Sequence, residues 1–285
     1  MNKLNQITVN IPTLNEEANI GKCIDSIKRS GIKKIIVIDG GSKDKTIEIL
    51  KKKKVKIIQT KKKGLGYQRS IGVKKTKTKY VSLIDADMRT TKNSFIKMIE
   101  DLEQSNYAGV EPKIKSSKKN LNYFDRSYQA IMEININKLG PRRMIGTPTL
   151  WKTKILKENN FRPFFSASSD DTDVSYRTYK KGYIFGGSSG IVYHVHRSSF
   201  KQYVKKYLWY GKGDAQFVIS HPERFFSIIK HQLFNYPIKF SMISILKLNL
   251  YPVPFMFMSG ILRFIGMNKE FLNKFLGKKD KIFNT

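Results

Sequence analysis

Four short runs rich in β-branched residues, at 7–11, 35–38, 55–58 and 80–84, each give way to a turn of polar or glycine residues. Between them lie segments with helical periodicity. Residues 18–30 place Ile20, Cys23, Ile24 and Ile27 on one face, a second segment runs to Lys51, and a third runs from Gly64-Leu-Gly66 to about Lys75. Strands alternating with helices at this spacing predict βαβ units and a mainly parallel sheet, an α/β fold. In open sheets of that class ligands bind beyond the carboxyl ends of the strands, so the residues just after each run are the first candidates for function.

The fourth run, Tyr80-Val-Ser-Leu-Ile84, stops at Asp85-Ala-Asp87. Side chains repeat every second residue along a strand, so Asp85 and Asp87 can project the same way from its end. Two aimed carboxylates suit a hard divalent cation, and such a cation suits a diphosphate. A solvated turn is the other account of the same spacing.

Further along, residues 93–104 read as a helix and 107–110 as a strand. Residues 121–139 read as a helix closed by Gly140-Pro-Arg-Arg143, and 144–151 as another strand. Ser169-Asp-Asp-Thr-Asp173 begins a helix to Lys181, with Asp170 and Asp171 where carboxylates complement a positive helix end. Residues 183–195 suggest strands interrupted by Gly186-Gly187 and Gly190, and Ser42 and Asp44 are both candidate N-caps for the second helix. From Ser198 the chain turns basic and aromatic, with helix candidates at 200–210, 222–234 and 238–250. The apolar run at 248–262 contains Pro252 and Pro254 and is shorter than the about 20 residues of a comfortable membrane span. It reads as an interfacial or core helix. The basic helices beside it fit peripheral contact with an anionic cytoplasmic leaflet, or a small subdomain packing its own aromatics.

A chain of 285 residues with 40% hydrophobic content can bury one large core, or one core with an appendage. Its net charge of +32 comes mostly from lysine. Such a balance reflects attraction to anionic membrane or nucleic acid, or lysine-rich solvated helix faces. Without a nucleic-acid motif or an arginine–aromatic stripe, nucleic acid is not an expected partner. Cys23, the single cysteine, excludes a disulfide framework and a cysteine zinc site. A strand-like segment begins at about Gln6, so a cytoplasmic location is expected, at the inner face of the cytoplasmic membrane if the tail binds lipid.

Four motifs follow the four strands in order: Pro12-Thr-Leu-Asn-Glu16, Asp39-Gly-Gly-Ser-Lys-Asp-Lys-Thr46, Gly64-Leu-Gly-Tyr-Gln-Arg69 and Asp85-Ala-Asp87. Over about residues 5–215 this pattern resembles the GT-A glycosyltransferases of family 2, the large inverting group that uses nucleotide-diphosphate sugars. The resemblance implies a Rossmann-like GT-A domain over 1–215, with a nucleotide-sugar half (1–110) and an acceptor half (111–215). A basic, aromatic-rich helical extension would follow over 216–285.

It also implies roles. Pro12, Thr13 and Asn15 would lie against the nucleotide and Glu16 near the ribose, although Asn15 could equally cap a helix. Asp39 would accept from the base imino N–H while Ser42 holds the turn. Gly64 allows close backbone approach, and Arg69 would offer a cation near the phosphates or form a salt bridge. Because Arg69 stands at the last place of G-x-G-x-x-G, the stretch is not a dinucleotide fingerprint. Asp85 and Ala86 would contact the nucleotide. Asp87 would bind a divalent metal, Mg2+ or Mn2+, that neutralises the leaving diphosphate. His194 and His196 alternate before Arg197; His194 is the residue assigned to the metal shell, with a buried structural histidine as the alternative.

Asp170-Asp171-Thr172-Asp173 followed by Arg177 looks like the family's second acidic box, in which Asp171 would be the catalytic base. Asp170, Gly146, Thr147 and Trp151 would shape the acceptor site. The segment Tyr207-Leu-Trp-Tyr-Gly-Lys-Gly213 lacks the Q-x-x-R-W of processive synthases, so one sugar would be transferred. The expected partners are a nucleotide-diphosphate sugar and a glycan or lipid-linked hydroxyl, with a polyprenyl phosphate as the alternative acceptor. A sugar-nucleotidyltransferase would need a glycine-rich loop with G-T-R after the first strand, which this chain lacks. A non-catalytic protein binding anionic membrane or nucleic acid would explain the charge but not carboxylates at several strand ends.

Overall fold

A computed structural model of the chain describes residues 3–60, 62, 64–117, 121–195 and 199–277; His196 and Arg197 lie outside these residues. The described residues form two compact units that interleave in sequence rather than meeting near residue 215. One takes in Met1–Ser117, Asn137–Phe164 and Asp171–Val195, the other Lys118–Ile136, Phe165–Asp170 and His196–Thr285.

The first unit is built on β1 (Ile7–Thr13), β2 (Lys34–Asp39), β3 (Lys56–Gln59), β4 (Tyr80–Leu83), β5 (Met88–Thr90), β6 (Gly109–Ser116), β7 (Gly140–Arg142), β8 (Thr149–Lys152) and β9 (Phe185–His194). Their order is β3-β2-β1-β4-β8-β6-β9-β5, with β7 on β9. The first four strands are parallel, as the sequence predicts. Beyond β4 the sheet is mixed: β8 runs antiparallel to β4 and β6, β9 is parallel to β6, and β5 and β7 are antiparallel to β9. Pairing of Thr13 with Asp39 and of Asn10 with Leu83 brings the turns after β1, β2 and β4 to one edge.

Helices α1 (Ile20–Arg29), α2 (Thr46–Lys52), α3 (Leu65–Lys75) and α4 (Ser94–Gln104) join these strands. The apolar face of α1 is buried with Ile7, Val9 and Ile11 in one core cluster. The buried residues of α3 are instead polar or small: Gln68, Arg69, Ser70, Gly72 and Val73 among them. A Cβ on Gly72 would stand 2.8 Å from Ile38 Cδ1 and 2.9 Å from Asn10 Nδ2, so α3 lies close on β1 and β2. Asn10 Nδ2 donates to Thr76 Oγ1 at 3.1 Å, and Gln68 Nε2 donates to the carbonyls of Thr13 and Ile38 at 2.9 and 2.7 Å. The helix thus ties the strand ends together with hydrogen bonds rather than with apolar area.

Several local expectations are corrected. β9 is continuous, because its glycines admit close neighbours: a Cβ would lie 2.2 Å from the Tyr107 ring at Gly186 and 1.9 Å from Lys138 O at Gly187. The segment expected to close the fifth helix forms β7. Ser42 does not cap α2; Thr46 opens that helix, and its N–H is held by Asp44 Oδ1 at 3.0 Å.

The second unit contains α5 (Tyr123–Asn135), and α6 (Thr153–Asn159) and the body of α7 (Asp170–Lys180) return to the first. Then come α8 (Phe200–Ser220), α9 (Phe225–Lys230), a π-helical stretch His231–Phe240, α10 (Ser241–Leu246) and α11 (Val253–Phe275). A capping box between Ser199 and Gln202 starts α8, which continues well past the expected end at Tyr210. The π-helical stretch bridges the expected helices 222–234 and 238–250, and Pro237, which lacks a backbone donor, sits inside it and not in a break between them. Arg263 donates to Asp214 from Nη2 at 2.6 Å and Nε at 2.9 Å, and Gln232 Nε2 adds a bond of 2.8 Å to the same carboxylate. The apolar run 248–262 enters α11, and among the described residues no helix is long and apolar enough to cross a membrane.

Two predictions follow from this packing. A Cβ on Gly266 would sit 2.3 Å from Leu208 O, and one on Gly211 2.1 Å from Arg263 O, so α8 and α11 touch backbone to backbone. Gly266→Ala should lower the stability read from the denaturant midpoint by about 1–3 kcal/mol or more. Burial, reinforced by the Arg263 cation, pushes the His231 imidazole down to about 4, below its usual value of 6.5. The unfolded chain therefore binds the extra proton between these values. The stability is fully present above pH 6.5 and is lost as pH falls toward 4, by up to about 3 kcal/mol. His231→Phe should show a shallower loss over that window in thermal unfolding.

Candidate active site

The site is assembled at the strand ends of the first unit. The turns after β1 and β2 are fastened to each other. Asn15, in the left-handed region at φ 53°, donates its N–H to Ser42 Oγ at 2.9 Å and accepts from Lys43 N at 2.8 Å. Glu16 N donates to Thr46 Oγ1 at 2.8 Å, and Asn19 Nδ2 donates to Glu16 Oε2 at 2.8 Å. Asp39 is buried. Its Oδ2 accepts from Gly41 N and Ser42 N at 2.9 and 3.0 Å, and Oδ1 accepts from Ser42 Oγ. Its carboxylate thus organises its own turn, and Ser42 does hold that turn. Pro12 and Thr13 complete the buried end of β1, and Gly64, at φ 135°, starts α3 in a conformation that favours glycine.

Arg69 lies at the centre. Only 2% exposed, it donates from Nη2 to Asp85 Oδ1 at 2.9 Å, while Nη1 stands 4.0 Å from Asp171 Oδ2. The two acidic motifs, far apart in sequence, therefore meet around one guanidinium. The salt bridge, one of the two expectations for Arg69, is present and buried. Burial pushes the Asp85 carboxyl up, Asp87 and Asp171 push the same way, and Arg69 opposes them. Behind the turn, Cys23 Sγ donates to Asp85 O at 3.6 Å, and burial pushes the thiol up to about 12. Arg89 donates from Nη1 to the carbonyls of Ala86 and Met88 at 3.1 and 2.8 Å, which stiffens the turn carrying Asp87.

Asp87 and His194 are adjacent: His194 Nε2 lies 3.2 Å from Asp87 Oδ2. Pairing of Met88 with His194, and the Val195 N–H to Asp87 O bond of 2.8 Å, fix both backbones. Among the described residues no group of three or more His, Cys, Asp or Glu could hold a metal by itself. One carboxylate and one imidazole form a partial donor set for a divalent cation.

Asp171 opens onto solvent at the start of α7. Its Oδ2 accepts from Thr147 N at 2.9 Å and its Oδ1 from Thr172 N at 2.7 Å, so the carboxylate is held in one orientation. The same loop is gripped from the other side by Glu111, whose Oε1 accepts from Gly146 N at 3.1 Å and whose Oε2 pairs with Arg142 Nη1. Burial raises the Glu111 carboxyl to about 7 against the pull of Arg142. Glu111, Arg142 and Arg89 carry no role in the sequence reading. A charged residue inside the apolar Ala108-Gly-Val-Glu111 run is the signal that could have marked the first. Asp173 is fully buried, accepts from Arg177 Nε at 2.9 Å and lies 3.5 Å from Arg162 Nη1, while Arg177 also donates to Asn160 O at 2.7 Å.

Two assignments are corrected. Trp151 is 1% exposed and packs edge-on against Phe185 in one core cluster, while Leu150 before it lies in another, so both faces of β8 are covered. It does not line an acceptor surface. Asp170 belongs to the second unit's Phe165–Asp170 segment and is buried, since the helix rotates it away from the direction of its neighbour Asp171.

Residues 8–167 match the model of Glycosyl transferase family 2, more than half of the chain. The uncharacterized protein MJ1222 of Methanocaldococcus jannaschii is 39% identical over 30% of this chain and 38% of its own length. The uncharacterized glycosyltransferase EpsJ of Bacillus subtilis is 26% identical over 35% of this chain and 31% of its own. The chain thus spans about a third of each of these curated relatives. Among solved structures, S. aureus TarS 1–349 superposes with a TM-score of 0.55 at 14% identity, over 95% of this chain and 91% of its own. Glucosyl-3-phosphoglycerate synthase from Mycobacterium tuberculosis, solved with Mg2+ and UDP, gives 0.54 at 16% identity, over 75% and 78%. These likenesses establish a shared GT-A fold. With the family match, the strand-end motifs and the sheet order in agreement, the chain belongs to glycosyl transferase family 2.

Proposed function

We propose that this chain transfers a single sugar, with inversion, from a nucleotide-diphosphate sugar to a hydroxyl of a glycan or lipid-linked acceptor. The observation that carries this reading is the approach of Asp85 and Asp171 to the two ends of the buried Arg69 guanidinium. It sets a donor-side carboxylate and a solvent-facing carboxylate on one short path. Structural relatives solved with UDP and Mg2+ or Mn2+ support a nucleotide-sugar donor and a divalent ion.

In this reading the turns after β1 and β2 hold the nucleotide through Asn15, Glu16 and the ordered Asp39 turn. Asp85 and the Ala86 backbone continue that surface toward the diphosphate, and Asp87 with His194 would hold the metal. When bound, the ion supplies Lewis-acid neutralisation of the departing diphosphate. Asp171 takes the proton of the acceptor hydroxyl as that oxygen forms its bond to the anomeric carbon. The carbon–oxygen bond to the diphosphate breaks on the opposite face, and its electron pair leaves with the phosphate. The backbone N–H groups of Thr147 and Thr172 keep the base aimed, and Glu111 positions the loop that supplies the first of them.

Asp171→Asn should reduce turnover by roughly a hundredfold to ten-thousandfold while nucleotide-sugar affinity, read by calorimetry, changes little. Retained turnover would remove Asp171 from the role of base. A thermal-shift series with UDP-sugars and Mn2+ gives the second check. The wild type should gain melting temperature from the pair together, and Asp87→Ala or His194→Ala should lose the metal-dependent part of that gain. A metal response left intact in both variants would displace the ion from this pair.

A further inference from the structure

The second unit carries an exposed apolar surface to which the proposed transfer assigns no residue. The helical path through the π-helical stretch and α10 turns Gln232, Tyr236, Phe240 and Ser244 inward, and all four are buried. Two residues out of phase, at the same interval, Phe234, Ile238, Met242 and Leu246 are large, apolar and exposed. A π-helical turn takes more residues than an α-helical one, so spacing by four keeps each row on its own side. An amphipathic helix of a water-soluble domain presents charge on its outer face. This one presents a second apolar row.

The row ends in a built turn. Leu248 N donates to Ile245 O at 2.8 Å, Asn249 N to Ser244 O at 2.9 Å, and Ser244 Oγ to Asn249 O at 2.5 Å. These bonds hold Leu248 at φ 55°, a left-handed conformation costly for leucine, with its side chain 93% exposed. Leu250, also exposed, follows it. Single exposed leucines need no explanation, but a strained turn that projects them at the end of an apolar row does.

Charge identifies the partner. No aspartate or glutamate occurs from Arg224 to Lys269, while Lys230, Lys239 and Lys247 are exposed along the row. Ammonium groups beside apolar side chains match anionic headgroups above acyl chains. A second copy of the chain would bring lysine against lysine. With no described helix able to cross a bilayer, the surface can only lie on one. We propose that the row 234–246 and the turn at Leu248 insert into the headgroup layer of an anionic membrane and dock the chain there peripherally.

The test uses the full chain with vesicles of phosphatidylcholine alone and of an equal mixture with phosphatidylglycerol, read by co-sedimentation. The wild type should bind the anionic vesicles and only weakly the neutral ones. Leu246→Glu with Leu248→Glu should weaken that binding by about tenfold or more without moving the unfolding midpoint, because both side chains are already in water. Leu248→Gly separates fold from function: it relieves the positive φ, so it should unfold later yet bind vesicles less well. Asp171→Asn should bind as the wild type does, which keeps this proposal distinct from the transfer reading. No binding to anionic vesicles, or undiminished binding by the double glutamate variant, would overturn it. So would a concentration-dependent dimer in light scattering that the same variant dissolves.

Discussion

The buried guanidinium of Arg69 is the interaction on which the catalytic half of this molecule depends. It brings a positive charge beneath a group of carboxylates that would otherwise repel one another, and Asp85 and Asp171 each approach it from a different part of the chain. A flat guanidinium serves two carboxylates at once, whereas a lysine in its place would offer a single point of charge. The cost of burying this cation explains the character of α3. That helix approaches the sheet at Gly72, ties the strand ends through Gln68, and so has little apolar surface to offer. Order in this region comes from directed polar bonds, and those are satisfied in one arrangement only.

The same division of labour recurs in α7. Asp171 and Asp173 stand two residues apart on one helix, yet the first faces solvent and the second is locked by Arg162 and Arg177. The arginine of the second acidic box is therefore a latch that clamps the helix to the backbone at Asn160. Glu111 and Arg142 play the equivalent part beneath the 146–147 loop. Two acids that are near neighbours in sequence thus stand in opposite environments.

Much of this was legible in the chain. The parallel strands and the turns at their ends, with the Asp85–Asp87 pair among them, follow from short-range patterns, where pleat and helix periods bind neighbouring residues together; in the sequence, only the family resemblance places His194 near Asp87. What could not be read was set by partners distant in sequence. The mixed part of the sheet depends on β8 and β9 inserting out of order, and no local pattern encodes that insertion. Glycines in β9 look like breaks, but they answer to Tyr107 and Lys138, which arrive from elsewhere. Trp151 reads as part of the acceptor site, yet both faces of β8 are covered and its ring is buried. Arg69 illustrates the point from the other side: its charge suggested a phosphate neighbour or a salt bridge, and only the fold shows which carboxylates it meets.

Cys23 stands at the back of the turn that carries Asp85, shut off from solvent and donating to that residue's carbonyl. As the single sulfhydryl in the chain, it is a native reporter of local breathing. An alkylating reagent can reach it only when α1 lifts from the sheet, so the rate of its modification counts those openings at the turn carrying Asp85 without any label being introduced.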